Sequence, residues 1–507
     1  MNKSNFGFSN TNELEHWLKN LHEKYYVELK TAQELPSSFW ETYSSFSNTS
    51  GGIIVLGVKE DNPENSISGV ANPEKTLRSL WDQVSNPNKV SFRNIDNEDV
   101  LEYKLDDNKI IIIISIKEAP DIMKPVYIND KIENTWIRTR DGDRRATREE
   151  LATLMRNARP SEDSLLLEHF CINDLDFDSM LSFKERVNKR YPKYRYMEMS
   201  NEDFLVEIGA ANIDRVSGKL KLKKGALLFF GNVNAIKEQY PRYHLDYFNR
   251  RGNNPRWIDR VSDDEPSEYQ MNLYNFFNIV YEKLSLLLKE SFELDQQQLR
   301  IPLSDFDETI RECLVNCLAH ADYALGYPSV KIEAFEGWFK FVNPGKMLVS
   351  PIQFATGGDS RPRNEIIMKL YRLLGVSERQ GFGGPQIYKT AAENDFRRPE
   401  LVTDLEHTEL KVWNIDLVDA YPDFSEDERA VLRYIMKNGS DKSIRDLADV
   451  LDMTEYRVRK AMTSLETERQ IVTKVGNGKS TRYVLRMESV EMLTFLQIAL
   501  DKLKSHI

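Results

Sequence analysis

The sequence predicts a mixed α/β protein built from several domains. The segments Ser50–Val58 and Lys109–Lys117 each contain a short, wholly apolar run that is typical of a buried strand, and a helical pattern over residues 37–48 leads straight into the first of them. The length of 507 residues is enough for about three or four domains. Changes in charge and periodicity place the domains at residues 1–158, 159–304, 305–420 and 421–507.

Composition and charge exclude several classes of protein. The 69 Lys and Arg residues are outnumbered by 80 Asp and Glu, and the formal charge of −11 argues against a protein that coats nucleic acid indiscriminately. Three cysteines are too few and too unsuitably spaced for a disulfide framework or a structural zinc site. The N-terminus lacks the apolar core of a signal peptide, and the longest apolar run, Ile110–Ile114, is far too short to span a membrane. We therefore expect a soluble, cytoplasmic protein.

The first predicted domain contains two candidate contacts for nucleic acid. Gly51 and Gly52 follow the predicted helix, and the pair either lets a ligand approach the backbone closely or simply makes a tight turn. Basic residues crowd together further along, at Arg138, Arg140, Arg144 and Arg145. They form either a phosphate-binding edge or a solvated charged loop, and the sequence leaves both interpretations open.

This domain resembles the AlbA-type domain of the Schlafen family over about residues 14–157. The resemblance is carried by Tyr26-Val-Glu-Leu-Lys30, by the turn Phe46-Ser-Asn-Thr-Ser-Gly-Gly52 with the strand after it, and by Thr135-Trp-Ile-Arg-Thr-Arg140. It implies a domain that binds nucleic acid, either DNA or RNA.

Some Schlafen proteins are metal-dependent nucleases, so the resemblance also implies a possible catalytic site. The residues that match their acidic positions are Glu23 and Glu28, with Glu60 or Asp61 as the third ligand. Lys59 stands directly after the buried strand, where an acid would suit such a site better. Glu28 is also placed for a structural ion pair with Lys30.

The region of residues 159–304 is predicted to connect two domains. It holds an apolar segment, Gly225–Gly231, that predicts a strand, and an amphipathic helix over about residues 268–289. Core packing accounts for these patterns without any chemistry.

The third predicted domain begins with a helix that carries a polar stripe. Glu312, Asn316 and His320 recur every four residues, opposite an apolar stripe that includes Cys313 and Cys317. Such a stripe could act on a metal-bound phosphate, with Glu312 orienting water and Asn316 holding magnesium. It could equally be the solvent side of a surface helix.

This helix resembles the N-box of histidine-kinase-like (GHKL) ATPases, in a divergent form found beside AlbA-type domains in bacterial regulators. The resemblance extends to Asn343-Pro-Gly345, Ser360-Arg-Pro-Arg-Asn364 and Glu378-Arg-Gln-Gly-Phe-Gly-Gly384. It implies bound ATP and Mg²⁺, with weak ATP hydrolysis left open. The implied nucleotide-binding residues are Asn316, His320, Asp322, Arg361, Arg363, Gly381, Gly383 and Gly384. The family's adenine-reading Asp is missing at Asn343-Pro-Gly345, which puts adenine selectivity in doubt.

The C-terminal domain is predicted to be a winged helix followed by a terminal helix. Ser443 and Asp446 form a capping box, Thr454 begins a second helix, and two short strands flank the loop at residues 476–480. Residues 429–482 hold 12 Lys and Arg against 7 Asp and Glu. The candidate DNA contacts are Arg457, Arg459, Lys460, Lys479 and Arg482. The alternative is a winged helix that serves only for protein contacts.

Together these patterns predict an ATP-responsive DNA-binding protein, with transcriptional regulation as its role. Double-stranded DNA is the expected partner and RNA the alternative one. Self-association is expected because winged-helix regulators usually read paired half-sites. The rival hypothesis is a Schlafen-like nuclease acting in defence against phage, and a third is a scaffold whose nucleotide and nuclease pockets are vestigial.

Overall fold

A computed structural model describes most of the chain. The described residues are 18–19, 26–31, 35–61, 65–139, 142–158, 161–252, 256–294, 303–349, 351–357, 361–377, 383–394, 396–415, 418, 423–438, 443–469, 471–475 and 482–485. They form a mixed α/β architecture with several sheets, as the sequence predicts. Among them, no helix has both the length and the apolar character needed to cross a membrane.

The N-terminal module, residues 26–158, is built around a four-stranded sheet of order β1-β2-β6-β5. Strands β1 and β2 are parallel and the other pairs are antiparallel. Its elements are β1 (Val27–Lys30), α1 (Ser38–Asn48), β2 (Gly52–Leu56), β3 (Val58–Lys59), β4 (Ser66–Ile67), α2 (Pro73–Val84), β5 (Val100–Lys104), β6 (Ile110–Ile116), β7 (Trp136–Thr139), β8 (Gly142–Arg145) and α3 (Arg148–Asn157).

The apolar strands of this sheet are buried on both faces. Because successive side chains of a strand point to opposite faces, Ile112 and Ile114 pack with α1 and α2, while Ile111 and Ile113 pack with β1. This explains why β6 begins with five consecutive isoleucines rather than an alternating pattern.

The central module, residues 161–415, contains a six-stranded sheet of order β12-β11-β13-β14-β16-β15. Only the β11–β13 pair is parallel among these described strands. Its elements are α4 (Phe177–Arg190), α5 (Asn201–Glu207), β9 (Ala211–Ile213), β10 (Leu220–Leu222), α6 (Lys224–Phe230), α7 (Val233–Gln239), β11 (Leu245–Asn249), β12 (Asp259–Ser262), α8 (Leu273–Leu294), α9 (Leu303–His320), β13 (Val330–Phe335), β14 (Trp338–Pro344), α10 (Pro351–Thr356), α11 (Glu365–Leu374), α12 (Gly383–Glu393), β15 (Glu400–Thr403) and β16 (His407–Trp413).

Two features of this module differ from the expectations. The predicted boundary between residues 304 and 305 runs through one sheet and one hydrophobic core, because β11 pairs with β13 and the core extends from Leu167 to Val412. The apolar segment predicted as a strand is instead the helix α6, whose residues from Gly225 to Phe230 are all buried.

The C-terminal unit contains the predicted helix, turn, helix and pair of strands. The two predicted helices are α14 (Ile444–Val450) and α15 (Glu455–Thr463), and a further helix, α13 (Glu426–Asn438), precedes them. The strands β17 (Val472–Val475) and β18 (Arg482–Leu485) are antiparallel. The Ser443–Asp446 capping box and the Thr454 N-cap both form. The predicted terminal helix lies outside the described residues.

Candidate functional site

The polar stripe of α9 lies against the glycine-rich segment that begins α12. Asn316 Nδ2 donates a hydrogen bond to Glu312 Oε1 at 3.1 Å, and both side chains are half-buried. A Cβ atom at Gly383 would overlap the Glu312 carboxylate. The stripe is therefore not a plain solvent-facing surface, because another element is packed directly onto it.

These residues fit the chemistry of a magnesium–nucleotide site. A carboxylate and a side-chain amide oxygen are hard ligands of the kind that Mg²⁺ prefers. Since the Asn316 amide nitrogen donates to Glu312, its amide oxygen is the atom suited to a cation. Glu312 and Asn316 would thus hold the ion, and position 383 requires glycine because the Glu312 carboxylate lies against its backbone.

His320 and Asp322, at the end of α9, differ from the rest of the stripe. Burial, with a contribution from nearby Arg363, lowers the pKa of His320 to about 4, so its imidazole is neutral at physiological pH. The Asp322 carboxylate is 4% exposed and lies 2.9 Å from Arg156 and 3.6 Å from Arg363. Asp322 is accordingly an ion-pair partner rather than an open nucleotide ligand.

The two arginines expected at nucleotide phosphates reach the N-terminal module instead. Arg361 Nη1 lies 2.8 Å from Asp121 Oδ2. Arg363 donates to Asn157 Oδ1 at 2.6 Å, to the Lys346 carbonyl at 2.8 Å and to the His320 carbonyl at 3.2 Å. Arg363 therefore joins the end of α9 to the end of α3, the last helix of the N-terminal module.

The other predicted glycines have separate locations. A Cβ atom at Gly384 would overlap the Phe354 carbonyl, so this glycine allows α12 to pack closely on α10. Gly381 lies outside the described residues.

A second group of charges at the same interface was not predicted from the sequence. Lys346 Nζ lies 2.6 Å from Glu118 and also donates to the Thr49 carbonyl. Lys124 pairs with both Glu118 and Asp121. Lys346 follows directly after Asn343-Pro-Gly345, but no spacing in the sequence indicates a partner more than 200 residues away.

The paired glycines of the N-terminal module are required by packing. Gly51 has φ of 73°, and a Cβ atom there would lie 2.8 Å from the Ile116 carbonyl oxygen. A Cβ atom at Gly52 would overlap the Phe46 ring. The tight-turn interpretation thus has a specific cause, and the role of this pair in nucleic-acid binding stays a prediction.

The arginines of the predicted phosphate-binding edge differ in their exposure to solvent. The Arg138 guanidinium is buried, 2.8 Å from Glu28 and 3.0 Å from Asp143, so it is not part of an exposed phosphate-binding edge. Arg144 is exposed and binds Glu150 through two hydrogen bonds, and exposed Arg145 lies over the Trp136 ring. Arg140 lies outside the described residues.

Among the described residues, the acids expected of a nuclease do not form an open set. Glu28 lies 2.8 Å from Lys30 and 2.8 Å from Arg138, as expected for a structural ion pair. Glu60 and Asp61 are exposed beyond β3, and Glu23 lies outside the described residues. A metal ion at Glu28 would have to displace two cations, and nuclease activity stays a prediction.

The outer face of α15 carries the candidate DNA contacts. Arg459 and Lys460 are exposed, whereas Arg457 is held by two hydrogen bonds to Asp427 of α13. Tyr456, which was not among the predicted contacts, is 75% exposed on the same face. Lys479 and the side chain of Arg482 lie outside the described residues.

Three regions of the chain match protein-family models. Residues 23–147 match "Schlafen, AlbA_2", residues 152–246 match a domain of unknown function (DUF8451), and residues 328–412 match "Putative ATP-dependent DNA helicase recG C-terminal". No curated protein matches the chain.

Among solved structures, the chain is similar to the crystal structure of the DIP2311 protein from Corynebacterium diphtheriae. Sequence identity is 13%, the TM-score is 0.39, and the match covers 93% of this chain and 98% of that chain. The family matches show that the chain combines a Schlafen AlbA_2 domain with an ATPase-like domain similar to the RecG C-terminal family.

Proposed function

We propose that this protein is a nucleotide-responsive DNA-binding regulator, in which Mg·ATP on α9 changes the affinity of the chain for DNA. The observation that carries the proposal is that Arg363 connects the candidate nucleotide helix to the N-terminal module. Arg363 bridges the His320 carbonyl at the end of α9 and the Asn157 side chain at the end of α3.

The nucleotide half of the proposal is supported by the α9 stripe and the family match. Glu312 and Asn316 provide oxygen ligands, and the first residue of α12, Gly383, packs against the Glu312 carboxylate. The magnesium ion, when bound, would neutralise phosphate charge. The match of residues 328–412 to a family named for an ATP-dependent DNA helicase supports a nucleotide in this domain.

The DNA half is supported by the surface of α15. Tyr456, Arg459 and Lys460 occupy one exposed face of a nine-residue helix whose opposite face is buried through Val458 and Met462. An exposed helix face with basic and aromatic side chains suits the major groove. Because the whole chain carries a charge of −11, such a face provides local attraction without general affinity for polyanions.

Coupling requires that nucleotide bind one arrangement of the two domains better than another. The end of α9 is the place where this difference would arise, because Arg363 and the Asp322–Arg156 ion pair connect it to α3. A shift in α9 on nucleotide binding would change these contacts directly.

The test is a titration of labelled duplex DNA with the full chain at one fixed salt concentration, with and without Mg·ATP. We expect the two dissociation constants to differ by about tenfold, a common size for coupling between sites. Asn316→Ala should abolish the difference, while Asn275→Ala, in α8, should preserve it. Identical curves for the wild-type protein with and without nucleotide would refute the proposal.

A further inference from the structure

A cleft of about 380 Å³ lies between the N-terminal and central modules. The N-terminal module contributes the turn at Gly51 and the segment from Ser115 to Asp121, and the central module contributes Leu348, Gln353 and Arg361. This volume is within the range of small-molecule sites. The Glu312–Asn316 stripe is not part of the lining found in the described structure, so this cleft is separate from the candidate magnesium site.

Arg361 is the cation that the central module presents to this cleft. Its side chain is 42% exposed, and its ion pair with Asp121 crosses from one module to the other. A guanidinium at the wall of a cleft can bind two oxygen atoms of one phosphate through parallel hydrogen bonds.

The charges around this ion pair are not balanced. Within the described structure, the network holds five cations and only three carboxylates, an excess of two positive charges: Lys124, Arg156, Lys346, Arg361 and Arg363 face Glu118, Asp121 and Asp322. Half of these groups, Lys124, Lys346, Asp121 and Asp322, are buried, and buried charge is costly unless it is compensated. Such an excess favours an anion with about two negative charges.

Three properties of individual groups agree with this imbalance. The Nε atom of Arg156 is buried and has no acceptor among the described residues. Burial lowers the pKa of Lys346, and nearby Lys124 lowers it further. Burial also lowers the pKa of Arg363, with Arg156 and Arg361 acting in the same direction. Lys346 and Arg363 are thus less favourable in their charged forms than they would be in water.

We propose that the cleft between the two modules binds a phosphate-bearing ligand of nucleotide size, with Arg361 as the residue that contacts the phosphate. The phosphate would share or replace Asp121 as the partner of Arg361, and its charge would offset the excess of the network. Since both modules line the cleft, the ligand would also alter how firmly they are held together. The phosphate group can come from a free nucleotide or from a nucleic-acid strand.

The test is isothermal titration calorimetry of the full chain in EDTA, which keeps magnesium away from α9. The probes are AMP for a free nucleotide, the dinucleotide TpT for a strand phosphate, and adenosine as a ligand without phosphate. We expect AMP or TpT to bind and adenosine not to bind. Whichever phosphate ligand binds identifies the source, and the absence of binding by both overturns the proposal.

Two variants locate the binding. Arg361→Gln should weaken it about tenfold, the effect of losing one charge-assisted contact. Asp121→Asn should strengthen it, because a competing carboxylate is removed, and a gain in affinity cannot result from misfolding. The matched control is Arg250→Gln, which breaks a comparable ion pair with Glu333 elsewhere in the central module and should change nothing.

A third variant, Asn316→Ala, separates this proposal from the proposed function. If binding depended on Asn316 and not on Arg361, the ligand would occupy α9; the cleft proposal would then be overturned while the nucleotide-responsive function survived. An affinity that is the same in wild type, Arg361→Gln and Asp121→Asn would also overturn it.

Discussion

Two glycines with the same backbone conformation have very different surroundings. Gly51 has φ of 73° and Gly218 has φ of 69°, both in the left-handed region that favours glycine. A Cβ atom at Gly51 would lie 2.8 Å from the Ile116 carbonyl oxygen, whereas at Gly218 it would meet nothing within 4 Å. Alanine substitutions at these two glycines therefore separate the energetic cost of backbone strain from that of steric overlap.

We expect Gly51→Ala to destabilise the protein by about 3 kcal/mol, the sum of left-handed strain and overpacking. Gly218→Ala should cost only about 1 kcal/mol, because strain alone applies. Urea denaturation followed by circular dichroism measures both. Equal losses in the two variants would contradict the packing that we infer for the Gly51 turn.

His244 is a second residue whose environment makes a clear prediction. Its ring lies 2.7 Å from Asp246 and 2.8 Å from Asp263, and these carboxylates raise its pKa to about 10. Lys237 also binds Asp263, and Arg260 also binds Asp246. The group of His244, Asp263 and Asp264 has the spacing of a metal site, but a protonated imidazole and these neighbouring cations describe an ion-pair cluster instead.

A histidine whose pKa is raised on folding contributes stability that is complete below its unfolded pKa of about 6.5. As pH rises from about 6.5 towards 10, the unfolded chain has already lost the proton that the folded chain keeps, so the contribution declines. The difference in stability between wild type and His244→Asn should therefore shrink across this window. Thermal denaturation at pH 6, 8 and 10 measures it, and a constant difference would contradict the prediction.

Among the elements, α6 shows that a short apolar run does not distinguish a buried strand from a buried helix. Ala226, Leu227, Leu228, Phe229 and Phe230 form an unbroken hydrophobic segment, and such a segment fits a buried strand or a buried helix equally well. The surrounding core decides between them: α6 packs against α8 and α11 through side chains on all its faces. A helix that is apolar all round is stable only in such an interior.

The helix α15 makes a prediction about DNA binding. Lys460 is exposed, and under the proposed function it contacts a phosphate. Lys460→Ala should then weaken binding to all duplex sequences and reduce the salt slope of the affinity by about one. Affinity measured at several salt concentrations tests this. The control is Lys389→Ala on α12, also exposed, and a fall in slope with both variants would argue against a specific role for α15.

For the whole molecule, the strongest test of the coupling between the two modules is a substitution of Asp322. It lies between Arg156 of the N-terminal module and Arg363 of the central module. Removing one partner of a buried ion pair leaves the other charges uncompensated.

We expect Asp322→Asn to reduce stability by about 3 kcal/mol and to separate the unfolding of the two modules into distinct transitions. The control is Asp404→Asn, which breaks an exposed pair with His407 and should cost at most about 1 kcal/mol. Differential scanning calorimetry measures both. A single transition with an unchanged midpoint in Asp322→Asn would show that this ion pair does not hold the modules together.

Much of the fold could be predicted because it depends on local pattern. The strands β2 and β6, the helix α1 and the Ser443 capping box appear where periodicity and capping residues indicate. The contact between Glu312 and Asn316 follows from a spacing of four residues along one helix. The continuity of the sheet across residue 304 could not be predicted, because strand pairing between β11 and β13 links segments about 85 residues apart.

The sequence by itself determined the α/β class, the turn at Gly51 and the polar stripe of α9. Each of these follows from the pattern of residues within a short segment of the chain. Only the tertiary structure decided what the other candidate residues do. Arg361 and Asp121 are separated by 240 positions, so no periodicity relates them, and the same arginine would suit a phosphate or a carboxylate. Which of the two it meets depends on how one module packs against the other.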